Sequence, residues 1–338
     1  MEVWKDAPVK ILISGGAGYI GSTVGSACLD AGLFPVVLDS LVTGRREFVA
    51  YRPFYEGDIA DPVIVDRIFR EHPDIYAVVH CAALIVVPES VADPVGYYEA
   101  NVVKSLRFVE SLLRNGCERM VFSSSGSIYA VNEDFSVDEG SPLAPLSPYA
   151  RTKAVCEEMF TDIATTQALR VLSLRYFNPI GADPLLRSGL QVPMPTHAMG
   201  KMIEAQEAGT AFTITGTDYP TRDGTGIRDY VHVWDLAQAH VAALTRFDQA
   251  LTADSRSLVI NLGTGRGTTV RELLAAFNDV IPDRIEGIEV SRRAGDSAGA
   301  FTRSDRALSI LNWSPSLSLE QGIRDTLTWF AHRSSVLG

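Results

Sequence analysis

One stretch, "KILISGGAGYIG" at residues 10 to 21, limits what this chain can fold into more than any other. A short run of branched apolar residues runs straight into closely spaced glycines and then into a helix-period segment. The same alternation of short apolar runs and longer amphipathic segments continues through the first half, the pattern of a parallel sheet covered on both faces. It predicts strands at Lys10–Ser14, Pro35–Asp39, Tyr76–Cys81, Met120–Ser124 and Val171–Tyr176, and helices at Tyr19–Asp30, Val63–Glu71, Tyr97–Arg114 and Tyr149–Thr165. The fold class expected is α/β, a doubly wound parallel sheet of the nucleotide-binding kind.

After residue 178 the chain becomes richer in Pro, Gly and Thr and the alternation stops, so residues 1–178 are read as a dinucleotide-binding part. The helical stretch Val233–Arg246 and the apolar run Leu258–Leu262 return residues 231–262 to it. Residues 179–230 and 263–338 remain for a smaller, interwoven C-terminal α/β substrate part.

Composition matters mainly for what it excludes. A net charge of -11 argues against nucleic acid and anionic membranes as partners, since both are polyanions. No apolar run reaches the roughly 20 residues a spanning helix needs, and the first ten residues lack the apolar core of a secretion signal. A cytoplasmic protein is expected. The four cysteines and six histidines show no metal-ligand spacing, so no metal is expected.

Gly15, Gly18 and Gly21 stand three apart at the opening of the first helix. Glycine there allows a tight turn and close approach of backbone to a pyrophosphate, while the helix N-terminus offers amide donors. Asp39, at the end of the second strand and 18 residues beyond Gly21, is placed to accept from both ribose hydroxyls of an adenosine. A carboxylate there repels a 2′-phosphate, which favours NAD over NADP, although Arg45 and Arg46 are near in sequence. Asp58 suits the adenine end or an ordinary turn equally well.

In "SPYARTK", Ser147 is a good N-cap and Pro148 fits the first helical position, which puts Tyr149 and Lys153 on one face of the first two turns. A tyrosine acting as a base near neutrality must ionise about three units below its reference value, a cost of about 4 kcal/mol. One ammonium about 4 Å away, at an effective dielectric of about 20, contributes about that much. "FSSSGSIY" follows a strand whose C-terminal end is where ligands bind in such a sheet, and the Ser125 hydroxyl can share a proton with the phenol.

Taken in order, "GGAGYIG", "LDSL", "EGDI", "VPESVADPVGYYEANV", "FSSSGSIY", "SPYARTK", "LRYFNPIGA", "DYPTRDGTGIRDYVHVWDLA" and "RRAGD" resemble the extended short-chain dehydrogenases/reductases. Within them the chain resembles the UDP-glucose (UDP-galactose) 4-epimerases. The resemblance implies a Rossmann-type domain holding NAD, a UDP-sugar substrate and a catalytic set of Ser125, Tyr149 and Lys153. It implies that Tyr149, as phenolate, takes the C4 hydroxyl proton while hydride leaves C4 for NAD, and that the 4-keto sugar turns over before hydride returns.

It further implies cofactor contacts at Gly15, Gly18, Tyr19, Ile20, Gly21, Asp39, Ser40, Asp58, Ile59, Cys81, Ala82, Ala83, Asn101, Tyr149, Lys153, Tyr176 and Phe177. Substrate contacts follow at Ser125, Asn178, Arg228, Arg293, Asp296 and Ala300. An arginine fork suits a diphosphate. A homodimer is implied through the helices Tyr97–Arg114 and Tyr149–Thr165, where Val102, Leu106, Val109 and Leu113 recur at near-helical spacing. A face packed on the sheet would show the same period.

Two positions depart from the family pattern. Ile85 stands where the epimerases often carry a lysine facing the cofactor, so one cofactor contact is expected to be missing. Ala300 stands where some carry a bulky tyrosine, which leaves room for a 2-N-acetyl sugar. A 4,6-dehydratase is disfavoured because the serine run holds no carboxylate. A UDP-uronic acid or UDP-pentose 4-epimerase uses the same C4 oxidation and stays open, as does, more remotely, a non-catalytic NAD-binding sensor.

Overall fold

The computed structural model describes residues 8–192, 195–252, 255–292 and 297–338. Arg293 and Asp296 therefore lie outside the described residues. Its main elements run β1 (Lys10–Ser14), α1 (Tyr19–Asp30), β2 (Phe34–Asp39), β3 (Phe54–Glu56), α2 (Pro62–Glu71), β4 (Ile75–His80), α3 (Lys104–Arg114), β5 (Arg119–Ser125), α4 (Pro148–Thr166), β6 (Arg170–Tyr176), α5 (Val233–Thr245) and β7 (Ser257–Leu262).

The seven strands form one sheet in the order β7-β6-β5-β4-β1-β2-β3, every neighbouring pair parallel. This is the doubly wound sheet expected from the alternation. The order reverses between β1 and β4, and the crevice at that switch point is where such sheets bind ligands. Apolar residues of α1, α5 and β7 pack in one core on one face, and those of α2, α3 and α4 pack in another on the opposite face. A third core joins the helices Ala198–Ala208, Val270–Val280 and Leu319–Leu337 in the C-terminal part.

Two local differences from the periodicity have physical causes. β3 is only three residues long, too short to show a period. The helix expected over Tyr97–Arg114 is instead Pro94–Tyr98, a π-helical turn at Glu99–Val103, and then α3. That turn carries Asn101, whose Oδ1 accepts from the Leu84 amide at 2.8 Å and whose Nδ2 donates to Leu84 O at 2.9 Å and Thr152 Oγ1 at 3.0 Å. One wide turn thus ties the loop after β4 to α4.

Candidate active site

Parallel pairing sets the C-terminal ends of the strands side by side: Ser14 opposite Leu38 and His80, and Ser125 opposite Tyr176. Gly15, Asp39, Cys81–Ala83, Ser125 and Tyr176–Phe177 therefore share one edge of the sheet. They come from five different strands.

At the dinucleotide end, Gly15 has φ +72°, and a Cβ there would sit 2.6 Å from the Ala82 amide nitrogen. Gly21 is equally constrained, since its Cβ would fall 2.3 Å from Gly15 O. Gly18 is the N-cap of α1 and offers no side chain to the first turn, where Tyr19 and Ile20 begin the helix. The result is a tightly closed glycine turn, packed against the loop after β4, that leads into the N-terminus of α1, where a helix can meet the diphosphate of a dinucleotide. Asp39 is buried and accepts from the amides of Ala17 at 2.9 Å and Leu41 at 2.8 Å. Burial pushes its carboxyl up, and those two amides work in the other direction.

The other dinucleotide-end residues divide by exposure. Ser40 is exposed beside Asp39, while Ile59 is buried. Asp58 pairs with Lys104 at 2.5 Å and accepts from the Ala60 amide at 2.9 Å. Burial opposes its charge, but these partners outweigh burial and hold the carboxyl below its usual range. Tyr19 donates to Gly181 O at 2.6 Å and so ties the glycine turn to the segment after the "RYFNP" run. The side-chain amide of Asn101 is occupied by Leu84 and Thr152, so its visible work is to place the loop Cys81–Leu84. Ile85 is 61% exposed.

At the reacting end, the Ser147 hydroxyl accepts from the Ala150 amide at 3.1 Å and Pro148 opens α4, as the sequence predicts. Tyr149 is half-buried, and the Ser125 hydroxyl bonds Ser127 Oγ at 2.9 Å and accepts from the Ser127 amide at 3.2 Å. Burial raises the Tyr149 phenol above its ordinary value, and the nearby Ser125 side chain acts against that rise. Lys153, one turn on, is 4% exposed and donates to Ser123 O at 2.8 Å, with its ammonium 4.9 Å from the centre of the Phe122 ring. Burial lowers its pKa. In the protein alone, then, the ammonium is anchored on β5, and burial dominates the phenol more than the Lys153 charge does.

At the substrate end, Phe177 lies so close to Gly126 that a Cβ on that glycine would come within 2.6 Å of the ring. Asn178 opens the short strand Asn178–Ile180, which pairs with Tyr230–His232. Arg228 donates through Nη1 to Ile227 O at 2.7 Å and Ala298 O at 2.8 Å, and through Nη2 to Ser297 O at 3.3 Å. These carbonyls orient the guanidinium without neutralising it. Gly299, at φ +100°, makes room for it, and Ala300 follows, half-buried.

Sequence reading missed a set of buried polar residues behind the serine run. Glu157 and Arg175 form an ion pair with side chains 8% and 6% exposed, and Tyr129 and Asn261 are hydrogen-bonded to it in series. The signal was present, because Glu157 continues the Tyr149–Lys153 face by one more turn. Arg175 is likewise a charge inside an apolar strand, which calls for a partner.

The model of the NAD dependent epimerase/dehydratase family matches residues 11–263. This chain belongs to that family. It is 41% identical over 326 residues to the UDP-glucose 4-epimerase of Azospirillum brasilense, covering 96% of this chain and 92% of that one. A crystal structure of UDP-glucose 4-epimerase from Stenotrophomonas maltophila, with bound NAD and formylated UDP-arabinopyranose, superposes with TM-score 0.91 at 36% identity over 97% of this chain and 99% of that chain. The UDP-Glc/GlcNAc 4-epimerase of Campylobacter jejuni superposes with TM-score 0.80 at 34% identity over 96% and 99%. Family membership and the glycine turn agree on the kind of ligand this edge of the sheet takes.

Proposed function

We propose that this protein is an NAD-dependent UDP-glucose 4-epimerase that interconverts UDP-galactose and UDP-glucose. The observation that carries the reading is Tyr149 and Lys153 one turn apart on α4, with Lys153 anchored on β5, the strand that ends in Ser125, at the sheet edge that also holds the glycine turn. Gly15, Gly18 and Gly21 would hold the diphosphate of NAD, Asp39 the adenosine ribose, and Tyr176 and Phe177 would flank its reactive ring. When bound, NAD accepts and returns the hydride at C4 of the sugar.

The chain's own residues manage the proton and the pose. Tyr149 removes the proton of the C4 hydroxyl and gives it back, and Ser125 bonds the phenol and the C4 oxygen. Lys153 supplies the positive charge that favours the phenolate, opposing the burial that raises it. Asn178, at the boundary of the two parts, and Arg228, Arg293 and Asp296 hold the UDP part; residues 1–178 and 231–262 mainly serve the cofactor and 179–230 and 263–338 the substrate. Ala300, beside Gly299, leaves room for an N-acetylated hexose. The partner is a second copy of the chain, supported by a groove of about 330 Å³ between α3 and α4 in which Leu106, Val109, Leu113 and Ile163 are flanked by Glu110, Arg114 and Gln167. The cytoplasm is the compartment that suits its four free cysteines.

NMR of the protein with UDP-galactose and catalytic NAD tests the reading. Appearance of UDP-glucose without accumulated NADH is expected. An unchanged sugar in the presence of bound NAD would remove the hexose assignment. Turnover of UDP-N-acetylgalactosamine at a comparable rate is expected from Ala300, and no detectable turnover of it would remove that part alone.

A further inference from the structure

Behind the reacting groups, and touching none of the atoms that react, lies a chain of buried polar side chains. The Ser124 hydroxyl donates to Glu157 Oε1. Arg175 grips the same carboxylate with Nε at 2.9 and 3.1 Å and with Nη2 at 2.5 Å. Its remaining nitrogen, Nη1, donates to Tyr129 Oη at 2.8 Å, and Tyr129 in turn donates to Asn261 Oδ1 at 2.7 Å. Asn261 Nδ2 continues to Thr302 Oγ1 at 2.8 Å, and the Thr302 amide to Asp229 Oδ2 at 3.2 Å, next to Arg228. Glu157 and Arg175 are 7% and 5% exposed, and Asn261 and Thr302 are fully buried.

A buried ion pair of this kind is a poor way to stabilise a fold, because desolvation offsets the attraction, so its presence asks for another reason. Its position supplies one. Glu157 sits one turn beyond Lys153 and two beyond Tyr149 on α4, while its partner hydroxyl, Ser124, precedes Ser125 on β5. Arg175 precedes Tyr176 and is paired in register with Ser124. The pair thus joins the helix carrying the base, the strand carrying the serine, and the strand leading to Tyr176 and Phe177.

We propose that Glu157 and Arg175 are a positioning pair for the reaction, clamping β5 and β6 onto α4 so that Ser125 and Tyr149 meet in productive geometry. The inference rests on the epimerase reading above. A misplacement of about 1 Å at this point costs about a hundredfold in rate, far more than the pair contributes as a contact.

The pair also supplies charge. The other titratable groups facing Tyr149 and Lys153 are held neutral near pH 7. Burial keeps the thiols of Cys81, on the loop after β4, and Cys156, on α4, at about 11 and the imidazole of His80, on β4, at about 3. It likewise holds Tyr97, on the helix Pro94–Tyr98, at about 12, and Tyr176, on β6, well above its ordinary value. Glu157 is then the fixed charge beside Lys153, with Arg175 paired to it, and removing either alone changes the local field.

Four proteins decide the matter: wild type, Glu157→Gln, Arg175→Met and the neutral double variant Glu157→Leu/Arg175→Met. Each is measured for kcat and KM with UDP-galactose across pH, for NAD content and for melting. All three variants are expected to lose about 10- to 100-fold in kcat with KM within about twofold, since the reacting end is one step from the pair and Arg228 several. The acid limb of kcat is expected to move to lower pH in Glu157→Gln, where the field becomes more positive and favours the phenolate. It should move to higher pH in Arg175→Met and return to the wild-type position in the double variant.

A double variant that folds, binds NAD and turns over at the wild-type rate would overturn the proposal, as would single variants whose acid limb does not move. If a single variant fails to fold, the double variant, which leaves no unpaired buried charge, still decides. A wild type that does not epimerise overturns the functional reading instead, so the two failures are distinct.

Discussion

Tyr149 and Gly15 carry the sharpest expectations for single residues. Replacing Tyr149 by Phe deletes one oxygen and leaves the packing of α4 intact. kcat is expected to fall by about 10²- to 10⁴-fold, the usual worth of a general base, while calorimetric titration shows that NAD still binds. Retained turnover would mean that another group moves the C4 proton. Gly15→Ala places a Cβ 2.6 Å from the Ala82 nitrogen on a residue with φ +72°, so it meets backbone on one side and an unfavourable dihedral on the other. A destabilisation of about 1–3 kcal/mol in urea unfolding, together with weakened NAD binding, is expected. A fully stable variant that binds NAD as the wild type does would show that the turn can open.

Among the elements, β1, β4 and α3 are pinned together by one imidazole. His80 bonds Ser14 Oγ through Nδ1 at 2.7 Å and Ser105 Oγ through Nε2 at 2.9 Å, beneath the rings of Phe108 and Phe122. Burial first, and the charge of Lys153 second, lower its pKa to about 3. An unfolded histidine takes up its proton near pH 6.5, whereas the native one does not until about pH 3. Stability from the neutral ring is therefore complete above pH 6.5 and is lost as pH falls, by about 1.4 kcal/mol per unit. His80→Asn lacks that titration, so its stability deficit against wild type should shrink by about 2 kcal/mol between pH 7 and pH 5 in urea unfolding. His197 and His240, also buried, titrate alike in both proteins and cancel. A deficit independent of pH would mean that native His80 accepts a proton normally.

For the whole molecule the surface formed by α3 and α4 carries the expectation. Val109, Phe108 and Leu112 are wholly in the core, so much of the near-helical apolar spacing on α3 is explained by packing against the sheet. Leu106, Leu113 and Ile163 are only half-buried and line the groove between the two helices. Burying that groove against the same groove of a second copy gives a closed, two-fold assembly. Leu106→Lys/Leu113→Lys is expected to convert a dimer to a monomer in sedimentation velocity while leaving NAD binding intact. A wild type that sediments as a monomer would remove the dimer.

Much of the molecule is legible in the sequence. The strands at Lys10–Ser14 and Val171–Tyr176, the helix Tyr19–Asp30, the cap at Ser147 and the shared face of Tyr149 and Lys153 depend on residues within one or two turns of each other. Apolar period, cap chemistry and glycine spacing report directly on such short-range structure. The split of the helix over Tyr97–Arg114 was not legible, because its cause is Asn101 reaching back to Leu84 and across to Thr152. Nor was the destination of Lys153, which goes to Ser123 O, or the pairing of Glu157 with Arg175. Those outcomes depend on which strand lies beside which, and on how far water is shut out. Sequence alone determined the alternation, the glycine turn and the phenol–ammonium spacing, because local sterics and hydrogen bonding dictate them. Tertiary structure alone decided which charges are buried, which are paired and which face the reacting groups, because desolvation and partnership arise only when distant segments meet.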